Sequence, residues 1–340
     1  MKKKTIILLI IGLAGLTSFF YFQKTQKNTN FHFPKRHEEF KIQGLMWRSI
    51  AYYYNPSIYS EIYNPSANER LVKKAKNVGA NYLLIRAFYS GTEEGKLIGD
   101  DRKAEESLRK AIEIAHNYDI KIFLSPFIES MEFWPKRKWN LDVEKWTEKV
   151  LKWARFAQEN NVELFAPGFE MAIIMDKEEA KKWFKTILPE IRKVYKGKIT
   201  FAEIPYGEQW EFIEKDNVFE GYDCVGITIF PWKDYDGEHD LRSFEDLKQH
   251  TQKQVELLND LGEKYNTDCR IVATLGMDYW YGKEPSPEIR AQGYNLSLDV
   301  LKEYNVTGVF LHLWASEHDQ LGESREVEEM LKTRWIESEK

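Results

Sequence analysis

Carboxyl groups follow several apolar, β-rich runs of this 340-residue sequence. Glu170 and Glu203 come at the ends of two such runs, and Asp278 comes shortly after a third. Two carboxyl groups placed across a glycosidic bond can hydrolyse it, one as an acid and the other as a base or nucleophile. The sequence therefore offers Glu170, Asp278 and Glu203 as candidate catalytic residues.

Aromatic rings and a few polar groups follow the same runs. Aromatic faces stack on pyranose rings, so this mixture is typical of a sugar site. The candidate substrate-binding residues are Tyr53, Arg86, Glu129, Trp134, Tyr206, Trp210, Trp232, Trp280, His312 and Trp314. The alternative is that several of these rings only pack loops or close the end of the fold. Arg86 ends an apolar run. We expect its guanidinium to pair with Glu170 or Glu129, where it would either lower the pKa of that carboxyl group or form a purely structural ion pair.

The elements that must position these residues alternate regularly. Strands are predicted at 44–52, 81–88, 121–127, 163–166, 199–203, 224–230, 270–275 and 308–313. Helices are predicted at 68–78, 103–118, 143–160, 178–195, 208–215, 244–265, 286–304 and 325–335. Eight such pairs predict an α/β fold, a (β/α)8 TIM barrel, whose chemistry lies where the strands end. A doubly wound sheet is disfavoured because no Gly-rich phosphate turn follows the first strand.

The N-terminal segment has the pattern of a membrane-targeting sequence. Three lysines precede an uncharged run from Thr5 to Phe22 that ends in bulky aromatics rather than in a small-residue cleavage site. We therefore predict a transmembrane signal-anchor helix over residues 1–22, a stalk over 23–40 and the barrel over 41–340. The barrel would then be membrane-anchored and extracytoplasmic; secretion after signal cleavage is the alternative.

Composition excludes several classes of protein. Hydrophobic residues make up 43% of the chain, which excludes disorder, and two cysteines exclude a disulfide scaffold. Asp and Glu (54) outnumber Lys and Arg (49), which argues against a nucleic-acid partner. The seven histidines show no metal-binding spacing, and no cofactor is implied. Cys224 and Cys269 begin neighbouring predicted strands, where they form either a disulfide or two buried thiols.

Several segments resemble a known enzyme family. The run Leu164-Phe165-Ala166-Pro167-Gly168-Phe169-Glu170 resembles the fourth-strand motif of clan A glycoside hydrolases. Residues 123–134, 146–160 and 221–232 are similar to the β-mannanase-type glycoside hydrolase family 113. The resemblance implies hydrolysis of a β-linked polysaccharide or glycan, with Glu170 as the general acid/base.

Two positions depart from the clan pattern. Phe169 stands where the clan usually has Asn, and Thr274 or Leu275 stands where its nucleophilic Glu is expected at the seventh strand. Asp278 or Glu203 would then act as the partner of Glu170, and an inverting route with an intervening water is the more natural one. Two alternatives stay open: a carbohydrate-binding pseudoenzyme that has lost the nucleophile, and a surface-tethered interaction scaffold.

Overall fold

The predicted alternation of strands and helices is present in a computed structural model of the chain. The structure describes residues 38–47, 65–91, 96–98, 101–129, 141–205, 207–231, 243–277, 285–314 and 325–337. The strands are β1 (Ile42–Trp47), β2 (Tyr82–Gly91), β3 (Leu97–Ile98), β4 (Lys121–Glu129), β5 (Leu164–Phe165), β6 (Lys198–Ile199), β7 (Val225–Ile229), β8 (Arg270–Leu275) and β9 (Gly308–Trp314).

Helices follow the strands in the predicted order. They are α1 (Pro65–Asn77), α2 (Asp101–Asn117), α3 (Val143–Glu159), α4 (Met171–Ile174), α5 (Lys177–Val194), α6 (Gly207–Lys215), α7 (Phe244–Lys264), α8 (Pro287–Glu303) and α9 (Arg325–Trp335). The sequence did not predict the one-turn helix α4 or the two-residue strand β3. Several helices begin at a capping side chain, as where the Asp142 carboxylate accepts the Lys145 N–H at the start of α3.

Eight parallel strands curl into a (β/α)8-like barrel. Their order is β6-β5-β4-β2-β1-β9-β8-β7, and β3 adds an antiparallel pair to the end of β2. Isolated parallel bridges join Thr200 to Cys224 and Glu203 to Ile227, which links β6 to β7 at the two ends of that order. The predicted (β/α)8-like arrangement of eight parallel strands is therefore confirmed, although β5 and β6 have shorter ladders than predicted.

Alternation along each strand divides the core in two. An interior cluster fills the barrel and comprises Ile42, Met46, Leu84, Phe123, Leu164, Ala166, Phe169, Ala202, Cys224, Ile271, Ala273 and Phe310. A larger outer cluster, with Leu83, Ile85, Val272 and Leu275 among its members, lies between the strands and the helices. Gly44 makes room for the interior, because a Cβ there would meet the Phe310 ring at 2.1 Å.

The start of β7 is joined covalently to the chain just before β8. Cys224 and Cys269 form a disulfide with their Cα atoms 4.6 Å apart. The two cysteines therefore form a disulfide rather than two buried thiols. The bridge lies at the end of the barrel opposite the strand C-termini.

The predicted anchor and stalk, residues 1–22 and most of 23–40, lie outside the described residues. Within the described ranges, no helix is long and apolar enough to cross a membrane. The transmembrane signal-anchor over residues 1–22 therefore stays a prediction.

Candidate active site

The carboxyl ends of the barrel strands bring a cation and two aromatic rings together. Arg86 follows the interior residue Leu84 by two positions on β2, so its side chain points into the barrel. Its guanidinium carbon lies 4.3 Å from the ring centroids of both Phe127 and Phe169. This stacking holds a side chain that is only 7% exposed, and it is favourable because the ring faces carry partial negative charge.

The same guanidinium reaches across the barrel to β8. Arg86 Nη2 donates a hydrogen bond to the hydroxyl of Thr274 at 3.3 Å. Thr274 is therefore the residue of its pair that faces the barrel interior, whereas Leu275 packs in the outer cluster. Of the two residues that the sequence offers for the clan's carboxylate position, Thr274 is thus the one that contacts Arg86.

Glu170 lies just beyond β5, in an unusual backbone conformation. Its φ is 59° and its ψ is 31°, which is the left-handed helical region. The other non-glycine residues with positive φ in the described ranges are Asp119, Asn161, Asn266 and Asn305. Asp and Asn adopt this conformation readily, but a Glu has no such preference. The surrounding contacts must therefore hold Glu170 in place.

Those contacts come from the segment that follows β6 and from β7. The Glu170 N–H donates to the Ala202 carbonyl at 2.8 Å, and the Thr228 hydroxyl donates to Glu170 Oε1 at 3.2 Å. Burial raises the pKa of the Glu170 carboxyl, while the charge of Arg86 and the Thr228 hydrogen bond act to lower it; the net shift is upward. A carboxyl with a raised pKa retains its proton nearer neutral pH, as a general acid requires.

Glu203 is held differently from Glu170. Its side chain is 1% exposed, and Oε1 and Oε2 accept the N–H groups of Met171 and Ala172, each at 3.0 Å. Burial raises the pKa of Glu203 to about 8, with a smaller rise from the charge of Glu170 and an opposing effect of the two N–H donors. Glu203 therefore lies beside Glu170, against the backbone that follows it.

Two further predicted residues fall in described regions. His312 is 8% exposed and points into the barrel from β9, with its ring edge-on to Phe230 at 5.5 Å. Trp210 lies in the outer cluster on α6, is 5% exposed, and donates its indole N–H to Glu214 at 2.7 Å. The structure brings His312 to the mouth of the barrel but leaves no open face on the Trp210 ring for a sugar.

The remaining predicted residues are not described at the level of side chains. Tyr53, Trp134, Tyr206, Trp232, Asp278 and Trp280 lie outside the described residues, and only the backbone of Glu129 and Trp314 is described, within β4 and β9. Where the chain is described, no group of three His, Cys, Asp or Glu side chains could hold a metal ion.

Sequence reasoning missed Thr228 and Phe127. Both point inward at the mouth, where Thr228 contacts Glu170 and Phe127 contacts Arg86. The sequence signal for both was the alternation of side chains along a strand. Thr228 stands four positions after the interior residue Cys224, which directly precedes β7, and Phe127 stands four positions after the interior residue Phe123 on β4.

Comparison with known proteins identifies the family of this chain. The sequence matches the model of Glycoside Hydrolase Family 113 over residues 62–330. The chain belongs to glycoside hydrolase family 113. None of the curated proteins searched matches it significantly.

Solved structures show that this family 113 chain shares its fold with mannanases. A GH113 β-1,4-mannanase superposes with a TM-score of 0.65 at 14% identity, covering 87% of this chain and 99% of the other. The GH113 β-mannanase of Alicyclobacillus acidocaldarius superposes with a TM-score of 0.64 at 12% identity, covering 87% of this chain and 96% of the other. The endo-β-1,4-mannanase of Thermotoga petrophila superposes with a TM-score of 0.57 at 12% identity, covering 89% of this chain and 78% of the other. At these identities the likeness establishes the barrel fold alone.

Proposed function

We propose that this protein hydrolyses a β-linked polysaccharide or glycan, with Glu170 as the general acid/base. One observation carries the proposal: a carboxyl group of raised pKa is fixed at the barrel mouth by Thr228 and lies within the field of Arg86. Membership of family 113 and the mannanase neighbours support the substrate class.

The second carboxyl group of this reaction is best supplied by Asp278. Glu203 has both oxygens occupied by backbone N–H groups, and Thr274 has no carboxylate. Asp278 follows β8 by three residues. A partner set back from the strand end suits an inverting route, in which the two carboxyls stand about 6.5–9.5 Å apart to admit a water.

A carbohydrate-binding pseudoenzyme is the second candidate function. The observation that favours it is the contact between Arg86 and Thr274, because a hydroxyl replaces the nucleophilic carboxylate on β8. Such a protein would bind the same glycans at the barrel mouth without cleaving them.

One experiment separates the two functions. The full chain is incubated with a panel of β-linked glycans, mannan and glucan among them, and both release of reducing ends and saturable binding are measured. Hydrolysis that is lost in Glu170→Gln and Asp278→Asn supports the glycosidase. Saturable binding without products, unaffected by either substitution, supports the pseudoenzyme and contradicts the hydrolase. Glu163→Gln is the matched control, because Glu163 contacts the Ile122 N–H near the start of β4, far from the strand C-termini.

We further propose that the barrel is attached to the outer face of a membrane through residues 1–22. The lysines and the uncharged run that follows them support this, and a disulfide suits an oxidising compartment. Recovery of the native protein in the membrane fraction, with the barrel accessible to protease from outside the cell, is the expected result. Recovery of the whole chain in the culture medium would favour secretion instead.

A further inference from the structure

The carboxylate of Glu203 contacts the two residues that follow Glu170. Its two oxygens accept the N–H groups of Met171 and Ala172, each at 3.0 Å. We propose that Glu203 is a positioning residue, which fixes the backbone of Glu170 so that its carboxyl faces the scissile bond. This inference rests on the proposed function, in which Glu170 is the acid.

The left-handed conformation of Glu170 explains why such a residue is needed. A residue at φ 59° turns the chain abruptly, and the N–H groups that follow then point inward at the start of the short helix α4. Met171 and Ala172 are 0% and 2% exposed, so water does not satisfy these donors. A carboxylate with two acceptor oxygens matches two adjacent N–H groups.

Glu203 also ties this turn to the strand that holds the Glu170 side chain. The Glu203 N–H donates to the Gly226 carbonyl at 3.3 Å, and the Thr228 N–H donates to the Glu203 carbonyl at 3.0 Å. Thr228 in turn donates its hydroxyl to Glu170 Oε1. The backbone and the carboxyl of Glu170 are therefore both fixed with reference to Glu203.

These contacts separate Glu203 from a direct chemical role. A base or nucleophile needs an oxygen that faces the substrate, whereas Glu203 is 1% exposed and directs both oxygens at backbone donors. The upward shift in the pKa of Glu203 arises mainly from burial, which is consistent with a group enclosed by the protein.

The test compares two substrates that differ in their need for an acid. A glycan needs its leaving oxygen protonated, whereas a dinitrophenyl glycoside of the same sugar has a leaving group that departs without help. Glu203→Gln should lower kcat on the glycan by about 10- to 100-fold, since misplacement by about 1 Å costs that much. KM for the glycan and turnover of the aryl glycoside should change by less than about threefold.

Glu163→Gln is the control for loss of a carboxylate contact with a backbone N–H at a partly buried position, and it should leave turnover of both substrates unaffected. An equal loss on both substrates in a folded Glu203→Gln variant would overturn the inference and assign Glu203 to the chemistry itself. Unchanged turnover of the glycan would also overturn it. If Glu203→Gln does not fold, Glu203→Asp, which keeps the carboxyl group but shortens its reach, is measured in the same way.

A second measurement separates failure of this inference from failure of the proposed function. If the native protein cleaves no glycan, the hydrolase proposal fails, but Glu170 can still be titrated by carbon-13 NMR. Release of the turn should let the Glu170 carboxyl reach water in Glu203→Asp, which keeps a carboxyl group beside Glu170, and the pKa of Glu170 should fall toward the ordinary value for Glu. An unchanged titration of Glu170 in the folded variant would overturn the positioning role.

Discussion

The two sides of the barrel mouth are built differently. On the side formed by β5, β6 and β7, Glu170 is held through its backbone by Ala202 and through its carboxyl by Thr228. On the side formed by β2 and β8, Arg86 meets the hydroxyl of Thr274. The first side holds a carboxyl group of raised pKa and its hydrogen-bond partners, whereas the second holds a stacked cation beside a neutral hydroxyl group.

The two sides also differ in what holds their side chains in place. The supports of Glu170 come from neighbouring strands and require no residue on β8. Arg86 is held by the faces of Phe127 and Phe169, so its position does not depend on a carboxylate at residue 274. The two sides nevertheless meet at Arg86, which stacks on the residue before Glu170 and whose charge acts to lower the pKa of Glu170.

The largest expected effect is on the acid side. Glu170→Gln keeps the size of the side chain but removes its proton, and turnover of glycan should fall by about 100- to 10,000-fold. Initial rates of reducing-end release measure this. Full activity in the folded variant would show that Glu170 is not the acid and that the two sides do not differ as described.

The next largest effect on turnover should come from placing a carboxylate on the side formed by β2 and β8. Thr274→Glu places a carboxylate where Arg86 Nη2 already reaches, opposite Glu170. Turnover should rise by about tenfold or more, which corresponds to about 1.4 kcal/mol of barrier. Proton NMR of the first product should then show retention of the anomeric configuration. Thr274→Gln is the matched control without charge. Equal turnover in both variants would mean that residue 274 does not face the reacting carbon.

A smaller effect concerns pH dependence on the acid side. The Thr228 hydroxyl acts to lower the pKa of Glu170, so Thr228→Val should raise that pKa. A general acid works while protonated, so the basic limb of kcat/KM should move to higher pH, by about one unit or less. Thr200→Val, whose hydroxyl donates to backbone carbonyls deeper in the barrel, should leave the limb in place. A basic limb shifted to lower pH would contradict the assignment of Glu170 as the acid.

The smallest effect on turnover is expected at the opposite end of the barrel. Replacing Cys224 and Cys269 together by Ala removes a bridge that spans 45 residues of sequence. The free energy of unfolding should fall by about 2–4 kcal/mol, measured by urea denaturation, with turnover at 25 °C unchanged. A large loss of turnover in the folded double variant would show that the two ends of the barrel are coupled.

Much of the fold follows from local pattern. All eight predicted barrel strands overlap observed ones, and β8 matches at both ends, because apolar β-rich runs bounded by turns are a strong signal. The helix α4 was missed because its N-cap residue, Glu170, is not of a type that commonly caps helices and makes no side-chain capping hydrogen bond. The N–H groups of its first two residues donate to the Glu203 carboxyl group, which lies 32 and 31 residues away in sequence.

The sequence alone determined the barrel and the candidacy of Glu170, because strand periodicity and a carboxyl at a strand end are local properties. Only the tertiary structure decided which residue of β8 faces the mouth. Strict alternation from the interior residue Ala273 would turn Leu275 inward, but the pairing of β8 with both β7 and β9 shifts register near this point. Such a bulge inserts an extra residue and reverses the parity, so Thr274 meets Arg86 while Leu275 joins the outer cluster.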